Sequence, residues 1–305
     1  MNSIDKFLKD GHVRCVGCAA CQNICTHNAI EMRVDAIDGY LPYVIKDECV
    51  NCGKCVDTCP ALTQDQDEHM HSPIEGYAAI ALDDIRKVSS SGGFFYVVAE
   101  EILKSGGVVY GVCWGKKLRA VHTRETRIEE VGKFRYSKYV QSDTSNVFRA
   151  VKKDLKEKKT VLFSGTPCQI AGLKQYIETE NIESDNLYLL DLICGSAPSP
   201  ALWEMYLSER YSDNTLPCDY RFRDKIHGWK VISNCLMNSE DDSIDIVDDY
   251  YLKGFLENMM QRSACEKCKY RKNKLGDITI GDFWKVGKYT PSINGDRGVS
   301  TVLVN

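Results

Sequence analysis

The sequence has no long apolar run and no strong excess of charge, and each absence argues against a class of protein. None of its apolar stretches approaches the ~18 residues that a membrane-spanning helix needs. Its first residues, MNSIDKFLKDGH, lack the basic and then apolar segments of a secretory signal peptide. A formal net charge of −4 at pH 7 gives no reason to expect nucleic acid as a partner. We therefore expect a soluble, cytoplasmic protein.

Cysteine is the residue that the sequence has in excess. The 305-residue chain contains 15 cysteines, so metal or redox chemistry is the first explanation to consider for an intracellular protein. Its 43% content of hydrophobic residues is enough to bury a core in one or two domains.

Eight of these cysteines form two runs with the same spacing near the N-terminus. The runs read Cys-x-x-Cys-x-x-Cys-x-x-x-Cys from Cys15 and again from Cys49, and Pro60 follows the second run. Bacterial ferredoxins bind [4Fe–4S] clusters with this spacing, and the fourth cysteine of each run ligates the other cluster. The spacing predicts two [4Fe–4S] clusters, the first held by Cys15, Cys18, Cys21 and Cys59 and the second by Cys49, Cys52, Cys55 and Cys25.

Zinc and disulfides are the competing explanations for these eight cysteines. Tetrahedral zinc sites usually combine separated Cys-x-x-Cys or Cys/His pairs, and a crowded triple with a distant fourth cysteine matches them poorly. Disulfides persist in oxidising compartments, and nothing in the sequence indicates secretion. Thr26 stands where the ferredoxin pattern has proline, a departure that affects the exit of the loop and leaves the ligands in place.

Outside the cysteine runs, the sequence alternates short apolar strands with helices. Segments 29–34 and 39–45 predict a hairpin between the cluster loops, and the polar residues 64–71 predict a linker. The periodicity then predicts strands at 77–81, 108–112, 160–163 and 187–193 and helices at 94–104, 143–158, from 166 and at 201–211. We predict an α+β chain with a ferredoxin-like two-cluster domain (1–65) and a mixed α/β domain (66–305). The chain ends inside a predicted strand, so we expect that it is cut there or lacks a final piece.

Two further cysteines stand just after predicted strands. Cys168 follows the strand that ends near residue 163, and Thr166 and Gln169 predict a capping box around it. In the first turn of that helix, free N–H groups and the helix dipole favour a thiolate. Cys194 follows the strand at 187–193. Ligands gather at the carboxyl ends of strands in open α/β sheets, so both positions are candidates for ligation.

A close pair, Cys265-x-x-Cys268, brings the number of such cysteines to four. Four thiolates could hold a third [4Fe–4S] cluster. A redox disulfide or half of a zinc site remains open for the pair, and an activated nucleophile remains open for Cys168, although no histidine follows it at a suggestive position. Lone cysteines such as Cys113, Cys218 and Cys235 are best explained as small buried hydrophobes.

Two other segments predict a phosphate or flavin site. Ser89-Ser90-Ser91-Gly92-Gly93 precedes the predicted helix at 94–104, where glycines allow close approach of the backbone and a helix N-terminus favours an anion. Arg135-Tyr136-Ser137-Lys138-Tyr139 adds cationic and aromatic groups that could hold a pyrophosphate or an isoalloxazine ring. An ordinary turn with a cap, and an exposed basic turn, are the alternatives.

Taken as an ordered set, segments over roughly residues 75–305 resemble the β subunits of coenzyme F420 hydrogenases and dehydrogenases. The matching segments are SSGGF from Ser90, SKYVQS from Ser137, SGTPCQ from Ser164, DLIC from Asp191, PSP from Pro198, RFRDK from Arg221, GW from Gly228, RSACxxCxY from Arg262 and DITIGDFW from Asp277. The ferredoxin-like domain in front also resembles the arrangement in many members of this family.

The resemblance implies an FAD beside a [4Fe–4S] cluster in the second domain. Carried over by motif, it implies cluster ligation by Cys168, Cys194, Cys265 and Cys268. It likewise implies FAD contacts from Ser91, Gly92, Gly93, Lys138 and Tyr139. The family often has a histidine directly after the strand-end cysteine, whereas this chain has Gly195, which argues against a proton-transfer role at that position.

The sequence therefore predicts a flavin-dependent iron–sulfur oxidoreductase. Electrons would come from reduced ferredoxin or another redox protein, enter through the two N-terminal clusters, and pass through the third to FAD and a small-molecule acceptor. The alternatives are the reverse direction with a reduced deazaflavin as donor, an electron-relay subunit without a substrate of its own, and a zinc-stabilised interaction protein. No acid or base stands out; Asp191 and Lys138 are the nearest candidates, and we expect a structural role for Asp191.

Overall fold

The computed structural model describes residues 3–9, 14–63, 75–212, 215–231, 233–238, 243–247, 249–272, 274–293 and 295–305. The predicted linker at 64–71 and the predicted domain boundary after residue 65 lie outside the described residues. No helix in the described ranges is long and apolar enough to cross a membrane.

The N-terminal region consists of short helices around one hairpin. Its elements are α1 (Ile4–Lys9), α2 (Ala20–Ile24), β1 (Ile30–Asp35), β2 (Gly39–Val44), α3 (Lys54–Asp57) and α4 (Pro60–Thr63). The hairpin turns tightly because the Asp35 carboxylate accepts the backbone N–H groups of Ile37 and Asp38, both at 2.8 Å. Strands β1 and β2 pair antiparallel, which confirms the hairpin predicted between the two cysteine loops.

The rest of the chain is a mixed α/β region. Its elements are β3 (Glu75–Ala79), α5 (Asp83–Lys87), α6 (Phe94–Lys104), β4 (Val108–Trp114), β5 (Ala120–Glu125), α7 (Val147–Lys156), β6 (Val161–Gly165), α8 (Pro167–Thr179), β7 (Leu187–Leu192), α9 (Pro200–Arg210), β8 (Asp219–Phe222), β9 (Ser233–Met237), β10 (Ser243–Val247), α10 (Tyr250–Leu256), α11 (Ser263–Glu266), β11 (Ile278–Asp282), α12 (Val286–Tyr289) and β12 (Ser300–Val304). A 3-10 segment, Ile128–Phe134, follows β5.

A seven-stranded sheet organises this region, with the strand order β3-β12-β11-β7-β6-β4-β5. Strands β11, β7, β6 and β4 run parallel to one another, whereas β12 and β5 pair antiparallel at the two sides. The interior strand β6 is covered on both faces, since Val161, Leu162 and Phe163 are at most 1% exposed. The four parallel strands end at one edge, which is where ligand sites form in such sheets.

A smaller antiparallel sheet, β10-β9-β8, packs beside the large one. Its core is aromatic: the ring of Trp203 on α9 lies 5.0 Å from Tyr220 on β8 and 5.0 Å from Tyr251 on α10, edge to face in both cases. The sequence analysis did not predict these three strands, because each has only four or five residues and little periodicity.

The predicted helices differ from the observed ones mainly at their starts. Helix α6 spans Phe94–Lys104 as predicted. Helix α7 begins at Val147 instead of residue 143, because residue 143 extends the sheet: Asp143 N–H donates to the Ala120 carbonyl at 2.9 Å, and His122 N–H donates to the Asp143 carbonyl at 2.8 Å.

Candidate functional site

Two small pockets lie between the cysteine loops of the N-terminal region. The first is lined by Cys15, Cys18, Cys21 and Cys59, and the second by Cys25, Cys49, Cys52 and Cys55. Each pocket therefore takes three cysteines from one run and the fourth from the other. The structure brings together the two sets that the spacing predicts.

The loops place backbone N–H groups against these sulfurs. The Gly17 N–H donates to Cys15 Sγ at 3.3 Å, and the Ala29 N–H donates to Cys25 Sγ at 3.3 Å. Gly17, with φ +68°, turns the first loop in the left-handed region that glycine favours. Such bonds stabilise the thiolate form, which is the form that ligates iron.

Burial distinguishes the two N-terminal groups. Cys18 and Cys21 are 7% and 8% exposed, whereas Cys52 in the second group is exposed. Burial raises the pKa of Cys15 to about 12, and burial together with neighbouring thiolates raises the pKa of Cys21 well above its usual value. Buried thiolates at this spacing repel one another unless cations lie between them, so the donor set of the first group suits an iron cluster.

The four remaining candidate ligands form a third group at the carboxyl edge of the sheet. Cys168 lies in the first turn of α8 after β6, Cys194 follows β7, and Cys265 lies in α11 close to Cys268. Burial raises the pKa of Cys194 to about 12, and the charges of the other three cysteines add to the effect. The capping box predicted at the start of α8 is confirmed: Thr166 N–H donates to Gln169 Oε1 at 2.9 Å.

Arg262 is a buried cation at this third group, with 2% exposure. Its guanidinium donates to the Ala197 carbonyl at 2.8 Å, to the Val16 carbonyl at 3.1 Å and to Cys265 Sγ at 3.7 Å. It thus contacts the third group and the loop of the first group at once. The sequence analysis quoted Arg262 within a motif and assigned it no role, since an arginine before a cysteine pair is usually solvated.

The first and third groups also approach each other through α8. A Cβ atom added at Gly172 would lie 2.7 Å from both Cβ and Sγ of Cys18. Helix α8 therefore carries Cys168 in its first turn and, one turn later, packs its bare backbone against a cysteine of the first group.

A cavity of about 370 Å³ opens beside the third group at the same edge of the sheet. Cys168, Cys194 and Arg262 lie on its wall. So do four of the five predicted flavin contacts: Ser91, Gly93, Lys138 and Tyr139. Its volume is in the range of small-molecule and cofactor sites.

The fifth predicted contact, Gly92, faces the sheet and does not line the cavity. Its N–H donates to Ser300 Oγ at 3.1 Å, and an added Cβ would lie 2.3 Å from the Ala79 carbonyl oxygen. Gly93 has φ +89° and is the N-cap of α6. Lys225 Nζ holds the loop by donating to the Ser91 carbonyl at 2.8 Å, and the first residues of α6, Phe94 and Phe95, line the cavity.

Arg135 and Lys138 place two basic side chains on the cavity wall, which also carries Asp282. Lys138 Nζ donates to the carbonyls of Arg135 at 2.7 Å and Lys133 at 3.2 Å, and burial lowers its pKa to about 8. Arg135 lies over the ring of Tyr96 at 3.8 Å. Its Nε is buried and has no hydrogen-bond partner among the described residues. Arg135 lines the cavity, and a guanidinium group there suits an anionic ligand.

A hydrogen-bonded chain that the sequence analysis missed supports the cavity floor. Gln169 Nε2 donates to Ser142 Oγ at 3.0 Å, and His122 lies 3.1 Å from both Ser142 Oγ and the Ser164 carbonyl. Because a carbonyl only accepts, His122 donates through Nε2 and accepts through Nδ1. Burial lowers the pKa of His122 to about 4, so it is neutral and structural.

Two remaining observations limit the chemistry. Asp191, the other candidate acid or base, accepts the N–H groups of Leu275 and Gly276 at 3.2 Å, a structural role as expected. Across the described ranges, no three His, Cys, Asp or Glu side chains are arranged to hold a single metal ion.

Comparisons with known proteins match the two regions separately. Residues 158–305 match the family model for the C terminus of the beta subunit of coenzyme F420 hydrogenase/dehydrogenase, and residues 14–63 match the 4Fe–4S dicluster domain. A chain of the F420-reducing [NiFe] hydrogenase complex from Methanosarcina barkeri has a similar fold, with a TM-score of 0.53 and 15% sequence identity over 79% of this chain and 78% of that one. No curated protein matches the chain.

Proposed function

Residues 158–305 belong to the family of coenzyme F420 hydrogenase/dehydrogenase β subunits and residues 14–63 to the 4Fe–4S dicluster domains, and on that premise we propose an iron–sulfur flavoprotein oxidoreductase. It would pass electrons between ferredoxin-type clusters and FAD, and on to a small-molecule acceptor. A reduced ferredoxin or another redox protein would be the donor.

One observation carries this proposal: the cavity that receives the predicted flavin contacts is also lined by two cysteines of the third group. Cys168 and Cys194 lie on one wall, and Gly93, Arg135 and Tyr139 lie on the others. A redox centre and an anion-binding pocket therefore share a boundary. Electron transfer to a bound small molecule needs that proximity.

The residues suit the groups proposed for them. We assign the first cluster to Cys15, Cys18, Cys21 and Cys59, the second to Cys49, Cys52, Cys55 and Cys25, and the third to Cys168, Cys194, Cys265 and Cys268. In the cavity, the Arg135 side chain and the N-terminus of α6 suit a pyrophosphate, and Tyr139, stacked 4.4 Å from Phe255, offers an aromatic wall. Clusters supply one-electron steps and a flavin exchanges one electron for two.

The order of the three groups follows from burial and contact. The second group reaches the surface at Cys52. The charge of Cys55, in the second group, helps to raise the pKa of Cys21 in the first. Cys18 of the first group lies against α8, which begins beside Cys168. The cavity lies beside the third group, at the far end of this order from Cys52. This order supports entry of electrons from a protein partner at the second group and their use at the cavity.

FAD binding tests the flavin part of the proposal. Full-length protein purified anaerobically should release one FAD per chain, and FAD should rebind to the stripped protein. Arg135→Gln removes a charged hydrogen-bond donor, so it should weaken FAD binding about tenfold, as ~1.5 kcal/mol predicts. Arg127→Gln is the matched control, because Arg127 is 66% exposed and pairs with Glu125 and Glu130 outside the cavity. Protein that holds no flavin and binds none on titration would contradict the proposal.

A second candidate is an electron-relay subunit without a substrate of its own. It is favoured by the family, whose members are subunits of oxidoreductases, and by the fold shared with a chain of a hydrogenase complex. Reduction of a small acceptor by the isolated chain, with reduced ferredoxin as donor, would exclude it. Turnover that requires an added protein would support it.

The reverse direction, with a reduced deazaflavin as donor, is a variant of the same site. Mixing reduced coenzyme F420 with the loaded chain tests it by the appearance of oxidised F420 and reduced clusters. If reduced F420 leaves the cluster spectra unchanged, this variant is excluded and the ferredoxin-driven direction stands.

A further inference from the structure

Tyr270 is fully buried between two of the cysteine groups. Its side chain is 2% exposed and belongs to the core that also contains Cys18, with Cys59, Cys168 and Cys268 packed against that core. Burial, and then the charges of these same four cysteines, raises the pKa of Tyr270 above its usual range. Two of the four belong to the first group and two to the third, so the ring stands between the groups.

The segment that carries Tyr270 is fixed to the loop of the first group. Lys269 Nζ donates to the Pro60 carbonyl at 3.0 Å and to the Ala61 carbonyl at 3.4 Å, directly after Cys59. Cys268, two residues before Tyr270, is a proposed ligand of the third group. The position of the ring is therefore set from both sides.

The hydroxyl of Tyr270 is buried without a hydrogen-bond partner among the described residues. Leaving a buried hydroxyl unpaired is destabilising, and native proteins rarely tolerate it. The charges that act on this side chain are those of Cys18, Cys59, Cys168 and Cys268, although none of their sulfurs is itself a hydrogen-bond partner of the hydroxyl. Thiolate and sulfide sulfurs of an iron–sulfur cluster accept hydrogen bonds, and such bonds are among the features that set the reduction potential of a cluster.

We propose that the Tyr270 hydroxyl donates a hydrogen bond to a sulfur of the first or the third cluster and so tunes electron transfer between them. The inference rests on the cluster assignments of the proposed function. Reduction adds negative charge to a cluster, and a donor aimed at its sulfur stabilises that charge. The bond therefore raises the potential of the cluster that accepts it.

Tyr270→Phe removes the hydroxyl and keeps the ring. The potential of the first or the third cluster should fall, with about a tenfold smaller equilibrium constant for its one-electron reduction, which is a shift of ~59 mV. The second cluster should not move. Anaerobic redox titrations followed by electron paramagnetic resonance measure all three, with iron content as the check on loading.

Tyr176→Phe is the matched control. Tyr176 is also 2% exposed and lies in the same core, but the charges that act on it are those of Glu180 and Arg149. The Tyr176→Phe substitution should leave the reduction potentials of all three clusters unchanged. Pulsed resonance in H₂O and D₂O should also resolve exchangeable protons coupled to the clusters, including those of the N–H donors of Gly17 and Arg262. Tyr270→Phe should lose one of these couplings, and Tyr176→Phe should lose none.

Unchanged potentials in Tyr270→Phe at full iron content would overturn the inference, and so would equal shifts of all three clusters. A wild-type protein without a third reducible cluster would instead contradict the proposed function. In that case, the reduction potential of the first cluster in Tyr270→Phe still tests whether the hydroxyl donates to that cluster.

Discussion

The N-terminal groups and the third group of cysteines are assembled in different ways. The first two groups come from two loops within residues 15–59, each loop giving three cysteines to one pocket and one to the other. The third group is collected from the end of β6, the loop after β7 and the segment around α11. The first arrangement is made within one continuous segment around a hairpin. The second exists only when the seven-stranded sheet is formed, so it depends on the whole fold.

The two kinds of group also differ in surroundings. The second group opens to solvent at Cys52, whereas the third lies beside a buried arginine, Arg262, and a cavity. Under the proposed function, the exposed end would meet a protein partner and the enclosed end would meet a small molecule. Variants that affect one kind of group and spare the other test this division.

The largest effect is expected from Cys194→Ala. It removes one of four ligands from the third group and none from the others, so iron should fall from about twelve to about eight per chain. Metal and sulfide analysis after anaerobic gel filtration measures this. Cys235→Ala is the control, since Cys235 is 4% exposed in β9 and belongs to no group. Equal iron in the two variants would contradict the third cluster.

Arg262→Gln should destabilise the fold by about 2 kcal/mol, because it removes the donor to the Ala197 carbonyl and one of two side-chain donors to the Val16 carbonyl, the other being Gln141 Nε2 at 3.3 Å. It should also lower the reduction potential of the third cluster, since a positive charge is lost beside Cys265. Arg149→Gln is the comparison: Arg149 joins the same two regions through the carbonyls of Asn23 and Cys25 and lies away from the third group. Urea unfolding and redox titration separate the two results. An unshifted third cluster in Arg262→Gln would count against the assigned ligands.

Gly172→Ala should destabilise the protein by about 1–3 kcal/mol. The new Cβ would meet Cys18 at 2.7 Å, so the first cluster should be lost more readily on chelation. Gly287→Ala, in α12, meets nothing within 4 Å and should be neutral or stabilising by up to ~1 kcal/mol. If a chelator removes iron from the two variants at similar rates, then the packing of α8 against Cys18 does not affect the first cluster.

The smallest effect concerns His122 and pH. Its folded pKa of about 4 lies below the ordinary 6.5, so the unfolded chain binds the proton first as pH falls. The stability that this neutral histidine contributes is complete above pH 6.5 and declines between 6.5 and 4. From pH 7 to 5.5 the loss should be ~1 kcal/mol. The neighbouring Asp143 carboxylate acts in the opposite direction. Unfolding free energies of wild type and His122→Gln at both pH values measure the difference; parallel changes would argue against a neutral buried histidine.

Sites made within one loop could be predicted from the sequence, whereas contacts between distant segments could not. The N-terminal cysteine sets are predictable because ligands three residues apart share one loop. Cys168 and Cys194 were recognisable because each follows an apolar strand. Arg262 and Tyr270 carry no such local signal: their surroundings arise when α8, the first cysteine loop and the segment after α11 pack together. Gly92 looked like a ligand contact, yet its N–H and bare Cα face the sheet, a distinction that no spacing pattern contains.

Cofactor content of the anaerobically purified chain tests the central claim most directly. Iron, acid-labile sulfide and released flavin should be measured on the same sample, together with its visible spectrum. Three four-iron clusters and one flavin predict about twelve irons, about twelve sulfides and one FAD per chain. About eight irons without flavin would contradict the account of the second region, and zinc in place of iron would contradict the redox function as a whole.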